Sequence, residues 1–202
     1  MADDTRSSVP KKLVKLAGRH DATEVVPLLF IGGLASSHDS SFLTEKNITT
    51  IINASNMKAQ RLYTKSGISE LSVPVCDVPG SDIGQFFDSV GQRIEEAMIS
   101  KNAVLVHCAA GISRSASLVL GYLMKYKNMT LKDAHSFVKS KRKIIRPNLG
   151  FWSQLIDYEH KLYGNNSVEM ISCPAVQTGS INGQESFMIP DIYKVEYENM
   201  VL

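Results

Sequence analysis

Ten consecutive residues hold most of the chemistry this chain advertises: Val106-His107-Cys108-Ala109-Ala110-Gly111-Ile112-Ser113-Arg114-Ser115. A continuous apolar run, Ala103 to Val106, leads into them, and a strongly apolar helical pattern follows. The segment therefore reads as a strand–loop–helix junction. Such a junction aims backbone N–H groups at the helix N-terminus, where the dipole favours an anion. A thiol placed there is acidified, because the thiolate is the charge being stabilised. Gly111 allows a positive φ, so that successive N–H groups converge. Arg114, six positions after Cys108, can fold back over the same anion, and its planar fork suits two phosphate oxygens. The chemistry this describes is phosphoryl transfer to sulfur followed by hydrolysis. Ser115 would donate a hydrogen bond to the sulfur and make it a better leaving group in the second step. His107 is expected to sit in the sheet and fix the loop by hydrogen bonding, not to donate a proton.

Cleavage of a phosphate monoester also needs an acid for the departing oxygen. Asp77, Asp82 and Asp88 are the local candidates. Asp77 directly follows a strand expected to run parallel to Ala103–Val106, and ligands in open α/β sheets sit beyond the carboxyl ends of strands. That puts Asp77 on the edge that carries Cys108. Asp82 is the runner-up and reads better as a cap or first-turn residue; Asp88 reads as a solvated helix position. Taken singly, these residues have plainer explanations. A cysteine at a strand end is usually a small buried hydrophobe, and an arginine at a helix start is usually solvated or salt-bridged. Their order within one strand–loop–helix segment is what favours a site.

The elements that must position these groups alternate. Val25-Val26 and Leu28 to Ile31 read as short strands closed by Gly32-Gly33. Ser36 to Lys46 reads as one helix. Thr49 to Asn53 is a β-branched run and hence a buried strand; Leu71 to Val75 is another strand candidate, ended by the Pro79-Gly80 turn. Ile83 to Ile99 has helical spacing, with Ser81 or Asp82 as cap. Ala103 to Val106 looks like a strand buried on both faces, and Ser115 to Lys127 is an apolar helix. Thr130 to Asp133 forms a capping box opening a helix to about Lys141. After Pro147 and Asn148, Phe151 to Tyr163 is a last helix with Phe151, Leu155, Tyr158 and Leu162 inward. The result is an α/β domain over 22–163 with a central, mostly parallel mixed sheet flanked by helices. Residues 1–21 read as a flexible basic segment, with Lys11, Lys12, Lys15 and Arg19 around Leu13, Val14 and Leu16. That is a frayed terminus or a patch for an anionic surface or acidic partner. Residues 164–202 read as a mostly extended tail, with Val168 to Ile171 and Met188 to Tyr193 packed on the domain.

Composition narrows the classes. The chain has 202 residues, 44% of them hydrophobic and 21% charged, which suits a globular domain with tails and not a disordered chain or a coiled coil. Lys plus Arg is 22 against 20 Asp plus Glu, so bulk electrostatics offer no reason to expect nucleic-acid binding. Three cysteines, Cys76, Cys108 and Cys173, are too few and odd in number for a disulfide framework and suit a reducing compartment. No apolar run is long enough to span a bilayer. The polar start, MADDTRSSVP, lacks the apolar core of a signal peptide, which leaves triplets such as Asn47-Ile48-Thr49 as chance. Cytoplasmic and nuclear localisation is the expectation. Cys76 precedes Asp77; it is a strand-end filler or a partner that traps Cys108 as a protective disulfide on oxidation. Cys173 reads as an idle thiol and Trp152 as core packing.

His107 to Ser115 resembles the His-Cys-x5-Arg-Ser signature of the cysteine-dependent protein phosphatases, and its small-residue interior is similar to that of the dual-specificity phosphatases. Asp77 falls where the movable general acid of that family would fall. Ile144 to Leu155 resembles the family's Arg-Pro-Asn-x-Gly-Phe segment before its last helix, and the tail, with Val168-Glu169-Met170 and Pro190 to Tyr193, is similar to one small atypical subgroup. The resemblance implies a protein tyrosine phosphatase-like fold. It implies hydrolysis of both phosphotyrosine and phosphoserine/threonine through a cysteinyl-phosphate, with no metal and no cofactor. It implies that Cys108 attacks phosphorus, and that the amides of Ala109, Ala110, Gly111, Ile112, Ser113 and Arg114, with the Arg114 side chain, hold the oxygens. Asp77 would protonate the departing oxygen and later deprotonate water. It also suggests that Asn53 braces the loop; an ordinary turn role stands equally open. Phosphoproteins, mitogen-activated protein kinase pathway members among them, are the implied partners. No segment before residue 22 is long enough for a separate kinase-docking domain, which points to the single-domain kind. The loop interior carries no Lys, which favours a singly phosphorylated side chain over an inositol phosphate. Oligomeric state is not legible.

Three other classes share parts of this pattern. A phosphoprotein-binding scaffold without turnover would be expected to have lost Cys108, Arg114 or Asp77. A sulfur-transfer or arsenate-reducing enzyme can use a Cys-x5-Arg loop for other oxyanions, but the upstream acid and the Ser after the Arg both favour a phosphatase. An RNA 5′-phosphatase calls for a basic stripe that the net charge of +2 does not suggest.

Overall fold

The computed structural model describes residues 21–57, 67–174 and 186–199. The basic N-terminal residues Lys11, Lys12, Lys15 and Arg19 lie outside the described residues. Five strands form the main sheet: β1 (Ala22–Val26), β2 (Leu29–Gly32), β3 (Ile48–Asn53), β4 (Ser69–Ser72) and β5 (Ala103–His107). Their spatial order is β1-β2-β5-β3-β4. β2, β5, β3 and β4 run parallel, and β1 closes one edge antiparallel to β2. The sheet is thus mixed and mostly parallel. Gly32 and Asn53 both register with His107, so three strands end together on one edge.

β5 is central, and its side chains alternate between two cores, which is why its sequence is continuously apolar. Val104 and Val106 join Leu29, Ile31 and Ile52 on the larger side; Ala103 and Leu105 join Phe30, Ile48 and Ile51 on the other. The smaller side is covered by α1 (Leu34–His38) and α2 (Ser40–Glu45), through Phe42 and Leu43. The larger side is covered by α3 (Phe87–Ile99), α4 (Arg114–Lys127), α5 (Leu131–Lys141) and α6 (Leu149–Tyr163). The Thr130 hydroxyl accepts from Asp133 N at 3.1 Å and donates to the Asp133 carboxylate at 2.8 Å, which pins the start of α5.

Several boundaries differ from the sequence reading, each for a local reason. The single helix expected over Ser36 to Lys46 is two. Asp39 takes an extended conformation (φ −86°, ψ 92°) and accepts from Phe42 N, capping α2 and breaking the run. The strand expected over Leu71 to Val75 pairs only over β4. Val73 N still reaches Asn53 O at 2.8 Å, but the next N–H that would face β3, that of Val75, turns back onto Val73 O at 2.9 Å. The helix expected from Ile83 opens with a 3-10 turn, Gly84–Phe86, with Asp82 Oδ1 accepting from Gln85 N at 3.2 Å. α6 starts before Phe151, because Asn148 Oδ1 accepts from Phe151 N and caps it.

The tail pairs β6 (Met170–Pro174) with β7 (Ser186–Pro190) as an antiparallel hairpin. A 3-10 turn, Asp191–Tyr193, and α7 (Lys194–Glu198) follow; this helix is absent from the sequence reading. Val168, Ile189 and Tyr193 are buried. Trp152 is also fully buried, and its Nε1 donates to Tyr193 Oη at 3.3 Å.

Candidate active site

The loop between β5 and α4 is held open from outside, one carbonyl at a time. Cys108 O lies 3.3 Å from His107 Nδ1. Ala109 O accepts from Leu34 N at 2.9 Å. Ala110 O and Gly111 O accept from Arg142 Nη2 and Nε at 3.2 and 2.8 Å. Ile112 O accepts from Arg146 N at 2.8 Å, and Ser113 O from Ser117 N and Oγ, both at 2.9 Å. Turning six successive carbonyls outward turns the peptide N–H groups inward, the geometry of an anion nest. Gly111 makes the bend. Its φ is +69°, and a β-carbon there would fall 2.5 Å from Arg142 Nη2 and 2.6 Å from Gly32 C.

Cys108 sits at the floor of this loop, 1% exposed. Its Sγ takes the Gly111 N–H at 3.2 Å and lies 3.3 Å from Ser115 Oγ. Burial raises the thiol's pKa, but the Ser115 hydroxyl and the N–H groups of Ser115, Gly111 and Ile112 outweigh it, and the net direction is downward. The sulfur is therefore acidified by the hydrogen bonds it receives at the start of α4. His107 ends β5, buried, and burial lowers its pKa to about 4. It is neutral at ordinary pH and serves the Cys108 carbonyl, in keeping with a structural part.

Arg114 opens α4 and is buried. Its Nη1 reaches Val75 O at 3.5 Å, and its Nε lies 3.5 Å from Asp77 Oδ2 without hydrogen-bond geometry. A guanidinium with partners this weak keeps its fork available for an oxyanion. Asp77 comes from the segment after β4 and has its side chain 34% exposed. Its Oδ1 accepts from Ser113 Oγ at 2.7 Å and from Asn148 Nδ2 at 2.9 Å. β4 is two strands away from β5, but they share a carboxyl edge, and that brings Asp77 to the loop. Ala109 and Ala110 are exposed at the mouth, Ile112 is half-buried, and Ser113 is buried.

The other carboxylates go elsewhere. Asp82 caps Gln85. Asp88 binds Lys125, Tyr158 and Lys161, whose hydrogen bonds pull its pKa down to about 2. Asn53 does not brace the loop with its side chain. Its Oδ1 accepts from Ser55 N and Oγ, and its Nδ2 donates to Met57 O and Glu70 Oε1. Those four bonds exhaust the amide, so Asn53 stitches its own turn to β4 and meets the loop strand only through the backbone. Cys76 is exposed, and its Sγ takes a hydrogen bond from Asn56 Nδ2 at 3.2 Å. Among the described residues no group of three or more His, Cys, Asp or Glu could hold a metal ion, and no helix is long and apolar enough to cross a membrane.

Arg142 was not legible as a site residue. It lies in a run of basic residues, Lys139 to Lys143, that reads as a solvated helix end. In the fold it is buried, with Nη1 and Nη2 also on Asp21 O, Thr23 Oγ1 and Asp21 Oδ1. Asn148 was visible only as part of a motif.

Residues 29–161 match the catalytic domain of the dual specificity phosphatases. Human dual specificity protein phosphatase 18 is 41% identical over 179 residues, covering 89% of this chain and 88% of the relative. Human dual specificity protein phosphatase 14 is 36% identical over 178 residues, covering 88% and 83%. Among solved structures, human DUSP28 superposes with a TM-score of 0.67 at 34% identity, covering 70% of this chain and 95% of that one.

Proposed function

The chain belongs to the dual specificity phosphatase family, and from that premise we propose that Cys108, Arg114, Asp77 and Ser115 divide the work of phosphoester hydrolysis. The activity itself, a protein phosphatase of dual specificity, follows from the family. The assignment of roles rests above all on one observation. The Cys108 sulfur lies within 3.3 Å of both the Gly111 N–H and the Ser115 hydroxyl, under a loop whose carbonyls all face away.

In the first step the Cys108 thiolate attacks phosphorus. A P–S bond forms as the ester P–O bond breaks, and the proton of Asp77 goes to the departing oxygen. The inward N–H groups of residues 109–114 and the Arg114 fork hold the three equatorial oxygens, where charge spreads in the transition state. In the second step the Asp77 carboxylate takes a proton from water, and the water oxygen attacks phosphorus. The P–S bond breaks, Ser115 Oγ–H donates to the returning thiolate, and inorganic phosphate leaves.

The partners we propose are phosphoproteins, with members of mitogen-activated protein kinase pathways among them on the strength of the family resemblance. The place we propose is cytoplasm and nucleus, supported by a mechanism that needs Cys108 as a reduced thiol.

The test is phosphate release from a peptide bearing phosphothreonine and phosphotyrosine, without added metal, for the native chain and Cys108→Ser. Release from both residues by the native chain and from neither by the variant is expected. Release that survives in Cys108→Ser would overturn the role of the thiolate. Release from phosphotyrosine alone would keep the mechanism and remove the dual specificity for this peptide.

A further inference from the structure

The segment that carries Asp77 is held to the first two turns of α6 at three places. Asn148, the cap of α6, donates from Nδ2 to Asp77 Oδ1. Gly150 lies flat against Pro79. An ideal β-carbon on Gly150 would fall 1.9 Å from Pro79 O, 2.5 Å from its carbonyl carbon and 2.6 Å from its Cα. The backbone at Gly150 is not left-handed, so what glycine supplies here is room. One turn on, Gln154 takes the Gly84 N–H on Oε1 at 2.7 Å and donates from Nε2 to Ser81 O at 2.8 Å. A second contact of Nε2 with Gly150 O at 3.2 Å ties this amide back to the glycine.

We propose that Gly150 and Gln154 are positioning residues for the reaction. Together they form a seat on α6 that receives Pro79 and Ser81 and holds Asp77 at the loop before substrate arrives. The proposal deepens the reading of Asp77 as the acid and rests on it. Neither residue touches the reacting atoms. They act by fixing the segment on both sides of its turn, so that the three contacts of Asp77 with Ser113, Asn148 and Arg114 form without first ordering the segment. Without the seat those contacts must hold the segment alone.

The seat also bears on which phosphoester is cleaved. An acid matters in proportion to how poorly the leaving oxygen carries negative charge. The alkoxide of serine or threonine needs the proton most, the phenolate of tyrosine less, and a dinitrophenolate hardly at all. A fixed acid therefore supports the phosphothreonine arm of the dual specificity more than the phosphotyrosine arm.

The experiment compares the native chain with Gly150→Ala, Gln154→Ala and Asp77→Asn. The substrates are a phosphothreonine peptide, a phosphotyrosine peptide and dinitrophenyl phosphate. Inhibition by inorganic phosphate and the thermal midpoint are read alongside. Asp77→Asn is expected to lose about a hundredfold or more on the peptides and little on dinitrophenyl phosphate. Gly150→Ala is expected to follow the same order of loss, about tenfold or more on phosphothreonine, with phosphate inhibition held within about twofold. Gln154→Ala should show the same pattern at smaller size, and Gly150→Ala added to Asp77→Asn should cost nothing further on the peptides. Equal losses on all three substrates, or none on any, in a folded Gly150→Ala would overturn the seat. If Gly150→Ala does not fold, Gln154→Ala carries the same decision. If Asp77→Asn itself shows no dependence on the leaving group, the reading of Asp77 fails instead, and with it the proposal.

Discussion

Arg142 Nε donates to the carbonyl of Gly111 at 2.8 Å from the outer side of the loop. The same guanidinium holds Ala110 O, and on its far side Asp21 and Thr23. It thus clamps the bend of the anion nest to the start of β1. Because the clamp acts on carbonyls, it sets the direction in which the opposite ends of those peptides, the N–H groups, point.

Replacing Arg142 by Lys keeps the charge and loses the fork. The expected outcome is weaker inhibition by inorganic phosphate and a KM raised by about tenfold, with stability lower by about 2–4 kcal/mol, the scale of losing two or more charged-donor hydrogen bonds. Steady-state kinetics with phosphate as inhibitor, and denaturant titration, check it. Unchanged KM and phosphate inhibition would show that the loop holds its shape without the clamp.

Ser115→Ala removes the hydroxyl that helps hold the Cys108 thiolate. Donors to a thiolate lower its pKa, so losing one raises it. The pH dependence of alkylation by iodoacetamide should move to higher pH, and so should the acidic limb of kcat/KM. Hydrolysis of the intermediate should slow more than its formation, so that a burst of the leaving group precedes the steady state. A pH dependence of alkylation that stays in place would remove Ser115 from the account of the thiol.

His107 and His135 are buried, and burial lowers both to about 4 from 6.5. The unfolded chain binds their protons at a higher pH than the folded one. Stability from these two groups is therefore fully present above pH 6.5 and is lost as the pH falls from there toward 4. Each contributes at most about 1.4 kcal/mol per pH unit in that window. His135 packs against Trp152 and Tyr193, with ring centroids at 5.1 and 5.9 Å. His135→Gln should flatten the fall of the thermal midpoint between pH 6.5 and 4. An unchanged slope in that variant would contradict its buried, neutral state.

Tyr193 anchors the tail. It is buried, stands edge-on to Trp152 with centroids 5.5 Å apart, and lies 4.4 Å beneath the Arg146 guanidinium. Arg146 N in turn holds Ile112 O of the loop. Tyr193→Ala should cost about 3–5 kcal/mol, the range for deleting a large buried aromatic, and should open residues 186–199 to proteolysis ahead of the domain. A midpoint lowered by no more than a surface substitution would show that the tail merely rests on the domain.

The core chemistry was legible because it is local. The end of a strand, a cysteine, a glycine, an arginine and a serine follow one another within ten residues, and strand–loop–helix geometry then brings them to one loop. The alternation of strands and helices was legible for a similar reason, since a strand buried on both faces and an amphipathic helix have different periods. Helix and strand ends were less so. Asp39 breaks a helix by capping the next one, and Val75 N turns back onto Val73 O where it would have extended the ladder.

By itself the sequence determined the fold class, the loop around Cys108 and the serine beside its sulfur, because each depends on near neighbours along the chain. Only the tertiary structure decided how that loop is held and where Asp77 rests. Arg142 reads as one more cation in a basic run, and becomes a clamp only because α5 ends behind the loop. Asn53 has the right address for a brace, but its four hydrogen-bonding positions are already taken by its own turn and by Glu70. Gly150 and Gln154 acquire meaning only from Pro79, Ser81 and Gly84, some seventy residues away. Contacts between distant segments are set by packing, and no local pattern encodes which side chain a neighbouring element will need.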